Sequence, residues 1–159
     1  MWFSSNVAST SVDNTEVTTW LRVENGTANN LTSVSGSGAI LQTNELDGKP
    51  VVTLNTSRYL NNSLNVGNNF TMFSVSRYNG GTHGRLISSI NNNWLFGYHA
   101  AFEDRFYFEG WVHQPNQAPD TIWDQYTGSS NGSISTVARN GVQLASNSCG
   151  SCWAKRYLS

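Results

Sequence analysis

Three carboxylates in one aromatic stretch are the first residues whose types and spacing could do chemistry. Glu103, Asp104 and Glu109 stand in "FEDRFYFEG". A retaining glycoside hydrolase needs two carboxyl groups about 5 Å apart on one substrate-facing surface. If the stretch is one extended strand, Glu103 and Glu109 share a face but lie roughly 20 Å apart, and Asp104 points to the opposite face. The spacing therefore argues against a glycoside hydrolase, which we keep only as a remote alternative.

A second acidic pair, Asp120 and Asp124, stands in "DTIWDQY". An extended strand would point both side chains to one face, and solvent-facing strand acids are the simpler interpretation. The same pair, or Asp13 and Asp47 together with asparagine-rich loops, could instead offer oxygen ligands to calcium. No Asp-rich loop of fixed spacing accompanies them. We therefore expect no cofactor and no metal site, with calcium as the alternative.

Other common signatures of enzymes are missing from the sequence. His83, His99 and His113 are isolated from one another and from cysteine at any metal-ligand spacing. There is no Gly-x-Ser-x-Gly elbow and no glycine-rich phosphate loop before a helix. We expect a protein that is not an enzyme.

The aromatic stretch at 93–112 alternates in character from one residue to the next. In "RFYFEGWV" the set Phe106, Phe108, Gly110 and Val112 is apolar or small and predicts the core face of a strand. The alternate residues combine charged side chains with amphipathic rings, which is typical of a half-exposed sheet face: Arg105, Tyr107, Glu109 and Trp111. Aromatic rings beside hydrogen-bonding groups are a common way to hold a sugar. The candidate glycan-binding residues are Arg105, Tyr107, Glu109, Trp111 and His113. The residues alone favour the simpler interpretation that these rings stabilise a sheet across strands, or pack against a loop or another subunit.

Composition limits the classes of partner. The chain has 159 residues, a formal net charge of -1 and only 12% charged residues, so it lacks the basic surface that nucleic acid or anionic lipid requires. No apolar run approaches the twenty or so residues that cross a bilayer, and we expect no membrane insertion. Twenty asparagines against two lysines suit an extracellular β-protein.

Two further features of the sequence are typical of extracellular proteins. Cys149 and Cys152 in "SCGSC" predict a small local disulfide, with a bridge to a neighbouring chain as the alternative. Six Asn-x-Ser/Thr sequons could carry glycans in a secretory pathway that glycosylates, although asparagine in turns is the simpler interpretation. The sequons are at Asn25, Asn30, Asn55, Asn61, Asn69 and Asn131.

Short runs of period-two alternation separated by Asn/Gly clusters predict antiparallel strands and no long helix. Asn140-Gly141 lies between two such runs and predicts a type I′ hairpin. No repeat or linker divides the chain, so we predict one domain over 1–159. The predicted strands span 16–24, 50–54, 70–78, 85–90, 93–99, 105–112, 120–127 and 133–146.

The ordered set of motifs resembles the laminin G-like branch of concanavalin A-like lectins and glucanases. The segments that carry the resemblance are "LDGKPVVTLNTSRYLNNSL", "NNFTMFSVSRYNGGTHGRLISS", "NWLFGYH" and "VARNGVQLAS", within a span from Trp2 to about Leu144. The resemblance implies an all-β fold, a two-sheet antiparallel β-sandwich of the jelly-roll type. It also implies adhesion or recognition, with glycan as the ligand class.

Two departures from the family pattern stand out. The chain reads "WLRVENGTANN" where the family has a "W.D.SG.GN" stretch. The family also continues beyond the equivalent of "YLS" into one or two closing strands, whereas this sequence stops at Ser159. A jelly roll without its last strand would expose an unpaired edge. Either the sequence is an incomplete segment, or an atypical N-terminal run fills the gap, or another subunit donates the strand, which would assemble chains head to tail.

Together these observations predict a secreted or cell-surface module that binds glycan or another extracellular protein. The alternative, from a different class, is a structural subunit that polymerises into an extracellular filament or coat, with itself as its partner. One fold hosts many functions, so the resemblance alone does not choose between them.

Overall fold

A computed structural model describes residues 3–8, 11–23, 30–55, 57–63, 66–80, 84–89 and 93–148 of the chain. These residues contain no helix, and every strand pair among them is antiparallel. The prediction of an all-β antiparallel protein is confirmed. Within the same residues no helix is long and apolar enough to span a membrane.

The chain divides into two compact units, Met1–Asn65 and Val66–Ser159. The first unit holds two three-stranded sheets, with strand orders β1-β3-β4 and β2-β5-β6. Its strands are β1 (Phe3–Ala8), β2 (Glu16–Val17), β3 (Thr19–Arg22), β4 (Leu31–Thr32), β5 (Ala39–Leu46) and β6 (Lys49–Thr53).

A small hydrophobic cluster lies within the first unit. Val17, Ala39 and Leu41 are buried there, and Trp20 and Val52 are among the partly buried residues packed against them. A side chain at residue 38 would clash with the Val17 carbonyl oxygen, since an added Cβ would lie 2.5 Å from it. Glycine at this position therefore lets the backbones come together.

The second unit holds two four-stranded sheets, with strand orders β11-β10-β9-β8 and β14-β13-β12-β7. Its strands are β7 (Asn69–Ser76), β8 (Ile87–Ser88), β9 (Trp94–His99), β10 (Phe102–Phe108), β11 (Trp111–His113), β12 (Asp124–Asn131), β13 (Ile134–Arg139) and β14 (Val142–Ser148).

Side chains from both sheets of the second unit form one buried cluster. Phe96 and Phe106 from one sheet meet Tyr126 and Val137 from the other. Gly128 on β12 makes this contact close, because a Cβ there would lie 2.4 Å from Cε2 of Phe96. The cluster also contains Phe108 and Val112, so the predicted core face of the aromatic stretch is confirmed.

Five two-residue loops connect neighbouring strands among the described residues, and three of them have positive φ at both positions. The predicted hairpin at Asn140-Gly141 is confirmed, with φ of 50° and 80° and antiparallel pairing of β13 with β14. Asp47-Gly48 joins β5 to β6 in the same way. Ala100 and Ala101 join β9 to β10 with φ of 53° and 62°, a conformation that normally favours Asn and Gly.

The predicted strands at 50–54, 70–78 and 93–99 correspond to β6, β7 and β9. The predicted strand at 105–112 divides at a turn into β10 and β11, and its first strand begins earlier, at Phe102. Strand β5 was not among the predicted strands. The prediction of one domain over 1–159 stays a prediction.

Candidate functional site

A β-bulge in β10 sets the positions of its acids. Phe102 pairs with His99 and Arg105 pairs with Gly97, so β10 has one extra residue over this interval. Asp104 takes a left-handed conformation with φ of 59°, which aspartate tolerates better than most residues. The expected alternation of Glu103 and Asp104 between opposite faces is therefore wrong. Both carboxylates are buried and reach the same guanidinium.

Three carboxylates surround Arg139, those of Glu103, Asp104 and Asp124, and Asp120 lies beside Glu103. We call these four residues the acidic cluster. The Nη1 atom of Arg139 lies 3.0 Å from Oε1 of Glu103, 3.0 Å from Oδ2 of Asp104 and 4.0 Å from Oδ2 of Asp124. The backbone N–H of Asp120 donates to Oε2 of Glu103 at 3.2 Å. The cluster thus joins three segments of the second unit that are far apart in sequence.

Burial dominates the electrostatics of this cluster. Glu103, Asp104 and Asp124 are each at most 5% exposed. Desolvation raises the pKa of the Glu103 carboxyl, and hydrogen bonding from the Asp120 backbone opposes it. Desolvation likewise raises the pKa of the Asp104 carboxyl against the opposing effects of the Arg139 charge and the nearby Tyr126 hydroxyl. The single guanidinium does not fully compensate the buried negative charge.

Oδ1 of Asp104 and the hydroxyl of Tyr126 are buried beside Arg139 without a well-aligned hydrogen bond, and they interact with each other, since the Tyr126 hydroxyl lowers the pKa of the Asp104 carboxyl. Tyr126 is completely buried, and burial strongly raises the pKa of its hydroxyl, so it stays protonated.

A group of half-buried rings lies on β9, β10 and β11, and we call it the aromatic surface: His99, Tyr107, Trp111 and His113. Tyr107 pairs with Trp111 across the two strands, and their ring centroids are 5.2 Å apart with the planes nearly perpendicular at 84°. The His99 and Trp111 centroids are 6.1 Å apart. The structure therefore brings predicted site residues Tyr107, Trp111 and His113 onto neighbouring strands.

Arg105 is buried rather than half-exposed, with 5% of its surface accessible. Its guanidinium carbon lies 4.7 Å from the centroid of Phe102 and 5.6 Å from that of Trp111. Its Nη2 atom donates to Oδ1 of Asn116 at 2.8 Å. These contacts place Arg105 behind the Trp111 ring, where it holds that ring in position. The alternation of residue types along β10 does not show that Asn116 contacts Arg105.

Glu109, the remaining predicted site residue, lies in the turn between β10 and β11, where its φ is 60°.

Five of the six sequon asparagines lie among the described residues. Four of them are exposed, namely Asn55, Asn61, Asn69 and Asn131, and Asn30 is half-buried. The Asn131 Oδ1 atom accepts hydrogen bonds from the backbone N–H groups of Ser133 and Ile134, as turn asparagines do. Asn25, Cys149 and Cys152 lie outside the described residues, so glycosylation and the disulfide remain predictions.

Comparison of the chain with models of known protein families, with curated proteins and with solved structures finds no match. Any function assigned to the chain must therefore be argued from its own residues.

Proposed function

We propose that this chain is a non-catalytic recognition module of the cell surface or extracellular space, and that it binds glycan through the aromatic surface. The single observation that carries the proposal is the half-exposed, perpendicular pair of Tyr107 and Trp111, with buried Arg105 behind Trp111. A ring held in one orientation loses little conformational entropy when it meets a ligand.

The chemistry of the surface suits a sugar. The face of an aromatic ring packs against the C–H groups of a pyranose, and polar neighbours exchange hydrogen bonds with its hydroxyls. The polar groups of this surface are the Tyr107 hydroxyl and the imidazoles of His99 and His113, and the buried Arg105 guanidinium lies 5.6 Å from the Trp111 centroid. A phenolic hydroxyl both donates and accepts hydrogen bonds, and so do the hydroxyls of a carbohydrate.

The proposed architecture is a two-sheet jelly roll of the laminin G-like type. The two four-stranded sheets of the second unit share one hydrophobic cluster, as the layers of a β-sandwich do. In such folds, sheet faces and the loops at the sheet ends serve as binding surfaces, and one architecture hosts many ligands.

A non-catalytic role is favoured by the position of the acids. The Glu103 and Asp104 carboxylates are close enough to each other for acid and base chemistry, since both lie 3.0 Å from one nitrogen. Both are nevertheless buried, at 2% and 4% exposure, so a glycosidic bond could not reach them without opening of the surrounding segments. Hydrolysis of a β-glucan by the purified chain would contradict this part of the proposal.

A glycan array tests the binding proposal. The wild-type chain should show saturable binding to a subset of glycans, and Trp111→Ala should abolish it. Trp123→Ala is the matched control, because Trp123 is also half-buried in the second unit but packs against Arg77. Equal loss in both variants would show a general effect on folding, and binding retained in Trp111→Ala would contradict the proposal.

One observation favours the second candidate function, self-assembly into a filament or coat. Strand β7 stands at the end of its sheet's strand order, paired with β12 alone among the described residues, and Phe73 and Val75 on it are 58% and 57% exposed. A long edge strand with apolar side chains is a template for pairing with another chain.

Negative-stain imaging of the concentrated protein tests this candidate. Regular filaments should form in the wild type and disappear in Phe73→Lys. Ile122→Lys is the control, since Ile122 is 64% exposed but lies outside the strands. A monomer at all concentrations would exclude self-assembly and leave the recognition proposal intact.

A further inference from the structure

Asparagine followed by glycine is a residue pair that can modify itself, and the chain has four such pairs, which begin at Asn25, Asn79, Asn131 and Asn140. The backbone nitrogen of the glycine attacks Cγ of the asparagine, and the new C–N bond closes a succinimide ring. The side-chain amide leaves as ammonia with the proton of the glycine N–H. Water then opens the ring at either carbonyl to give aspartate or isoaspartate. Glycine favours the attack because it has no side chain to hinder it.

The Asn140-Gly141 pair is exposed, but hydrogen bonds hold its side chain. Oδ1 of Asn140 accepts from the backbone N–H of Gln125 at 2.9 Å, and Nδ2 donates to Oδ1 of Asp124 at 2.6 Å. The backbone N–H of Asn140 also donates to the carbonyl oxygen of Gln125 at 2.8 Å. Ring closure moves Cγ onto the nitrogen of Gly141 and removes Nδ2, so both side-chain hydrogen bonds must break first. The folded hairpin therefore protects Asn140.

The Asn131-Gly132 pair is held at both reacting groups. Oδ1 of Asn131 accepts from the backbone N–H groups of Ser133 at 3.0 Å and Ile134 at 2.8 Å. The attacking nitrogen, that of Gly132, donates to Oγ of Ser130 at 3.2 Å. This nitrogen must give up its proton to react, and the hydrogen bond to Ser130 holds both the proton and the peptide plane. The pair is therefore protected as well.

The Asn79-Gly80 pair, which follows β7, has none of these restraints. Both residues are exposed. Within the part of the chain that the structure describes, neither the Asn79 side chain nor the Gly80 N–H forms a hydrogen bond. A Cβ added at residue 80 would meet nothing within 4 Å, so no neighbouring group crowds the position where the ring closes. The side chain of Asn79 is therefore free to turn towards the attacking nitrogen.

We propose that Asn79 is a site of spontaneous deamidation in the folded protein, and that hydrogen bonds protect Asn131 and Asn140 from the same reaction. The product carries a new carboxylate directly after β7, and its isoaspartate form also lengthens the backbone by a methylene group. Asn25 lies outside the described residues and has no part in the proposal. The reaction requires the fold and water alone, so it does not depend on glycan binding.

Incubation of the purified full chain at mildly alkaline pH, followed by trypsin digestion and mass spectrometry, tests the proposal. Cleavage after arginine and lysine places the three described pairs in separate peptides, 78–85, 106–139 and 140–155. Peptide 78–85 should gain the mass difference between an amide and a carboxyl group and separate into aspartate and isoaspartate forms on chromatography. The modified fraction at Asn79 should grow at least about tenfold faster than at Asn131 or Asn140, because the protected pairs react only in rare, locally opened states.

The same incubation in concentrated urea is the control, since urea removes the fold and leaves the sequence unchanged. The three asparagines should then react at similar rates. Equal rates in the folded chain, or a preference for Asn79 that persists in urea, would overturn the proposal.

A matched pair of variants tests the attacking residue. Gly80→Ala should slow the reaction at Asn79, because a methyl group next to the attacking nitrogen hinders ring closure. Gly84→Ala should leave the rate unchanged, since a Cβ at residue 84 also meets nothing within 4 Å and no asparagine precedes it. An unchanged rate in Gly80→Ala, or equal slowing in both variants, would contradict attack by the Gly80 nitrogen.

Discussion

Replacement of Gly128 by alanine should destabilise the second unit by about 1 kcal/mol, because the added methyl group meets the fully buried ring of Phe96. The new Cβ would lie 2.4 Å from Cε2 and 2.9 Å from Cδ2 of Phe96, and 3.3 Å from Cζ of Phe108. Overpacking of a core costs about 1–3 kcal/mol. Alanine also reduces the backbone freedom of the unfolded chain, which offsets this cost by about 0.4–1 kcal/mol.

Urea unfolding followed by near-ultraviolet circular dichroism measures the difference, and a thermal melt should show a decrease of about 4–8 °C. Gly110→Ala is the matched control, since a Cβ there meets nothing within 4 Å and its φ is not in the left-handed region. It should change stability by less than about 0.5 kcal/mol. Phe96→Leu should relieve the clash, so the double variant should lose less than the sum of the two single variants. Equal effects of the two glycine replacements, or strict additivity with Phe96→Leu, would refute the reasoning.

Two further predictions concern the turn and the buried acids. The double variant Ala100→Asn with Ala101→Gly should be more stable than the wild type by about 1 kcal/mol, because alanine is strained at the positive φ of both positions. Urea unfolding measures the difference, and no gain in the free energy of unfolding would contradict the described turn. In chelating buffer, the raised pKa values of Glu103 and Asp104 mean that the folded state binds more protons than the unfolded state. Their contribution to stability should therefore be largest at low pH and should fall as pH rises from the ordinary carboxyl range through the raised values. Glu103→Gln with Asp104→Asn should flatten this part of the pH profile, and an unchanged profile would contradict the assignment.

Local sequence signals were sufficient for most of the second unit. Period-two alternation predicted the core residues Phe106, Phe108 and Val112, and Asn140-Gly141 predicted its hairpin. These features depend on short-range geometry, since strand side chains alternate and an Asn-Gly pair accepts positive φ at both positions. Asp47-Gly48 is a residue pair that also favours a two-residue hairpin turn, and it would have predicted the hairpin of β5 and β6.

The acidic cluster could not be predicted because one extra residue in β10 reverses the expected alternation. A bulge rotates Asp104 towards the side of Glu103, and its stabilising partner Arg139 is 35 positions further along the chain. A sequence pattern shows neither the bulge nor this distant ion pair. The positive φ at Asp104 leaves only a weak trace in sequence, namely a residue type that tolerates it.

The exposure of Arg105 was mispredicted for a related reason. Alternation placed it with Tyr107 and Trp111 on a half-exposed face, but Asn116 from an irregular segment covers it. Irregular segments have no periodicity that would show where they pack. Tyr107 and Trp111, by contrast, are half-buried, as the alternation predicted.

The central claim, that the aromatic surface meets a sugar, is tested most directly by the indole N–H signals of the six tryptophans in a two-dimensional NMR spectrum. The Trp111 signal is assigned by its loss in Trp111→Phe. Titration with a glycan that the chain binds on the array should shift the Trp111 signal progressively and leave that of Trp123 in place. A Trp111 signal that stays fixed while the glycan saturates the protein would contradict the account.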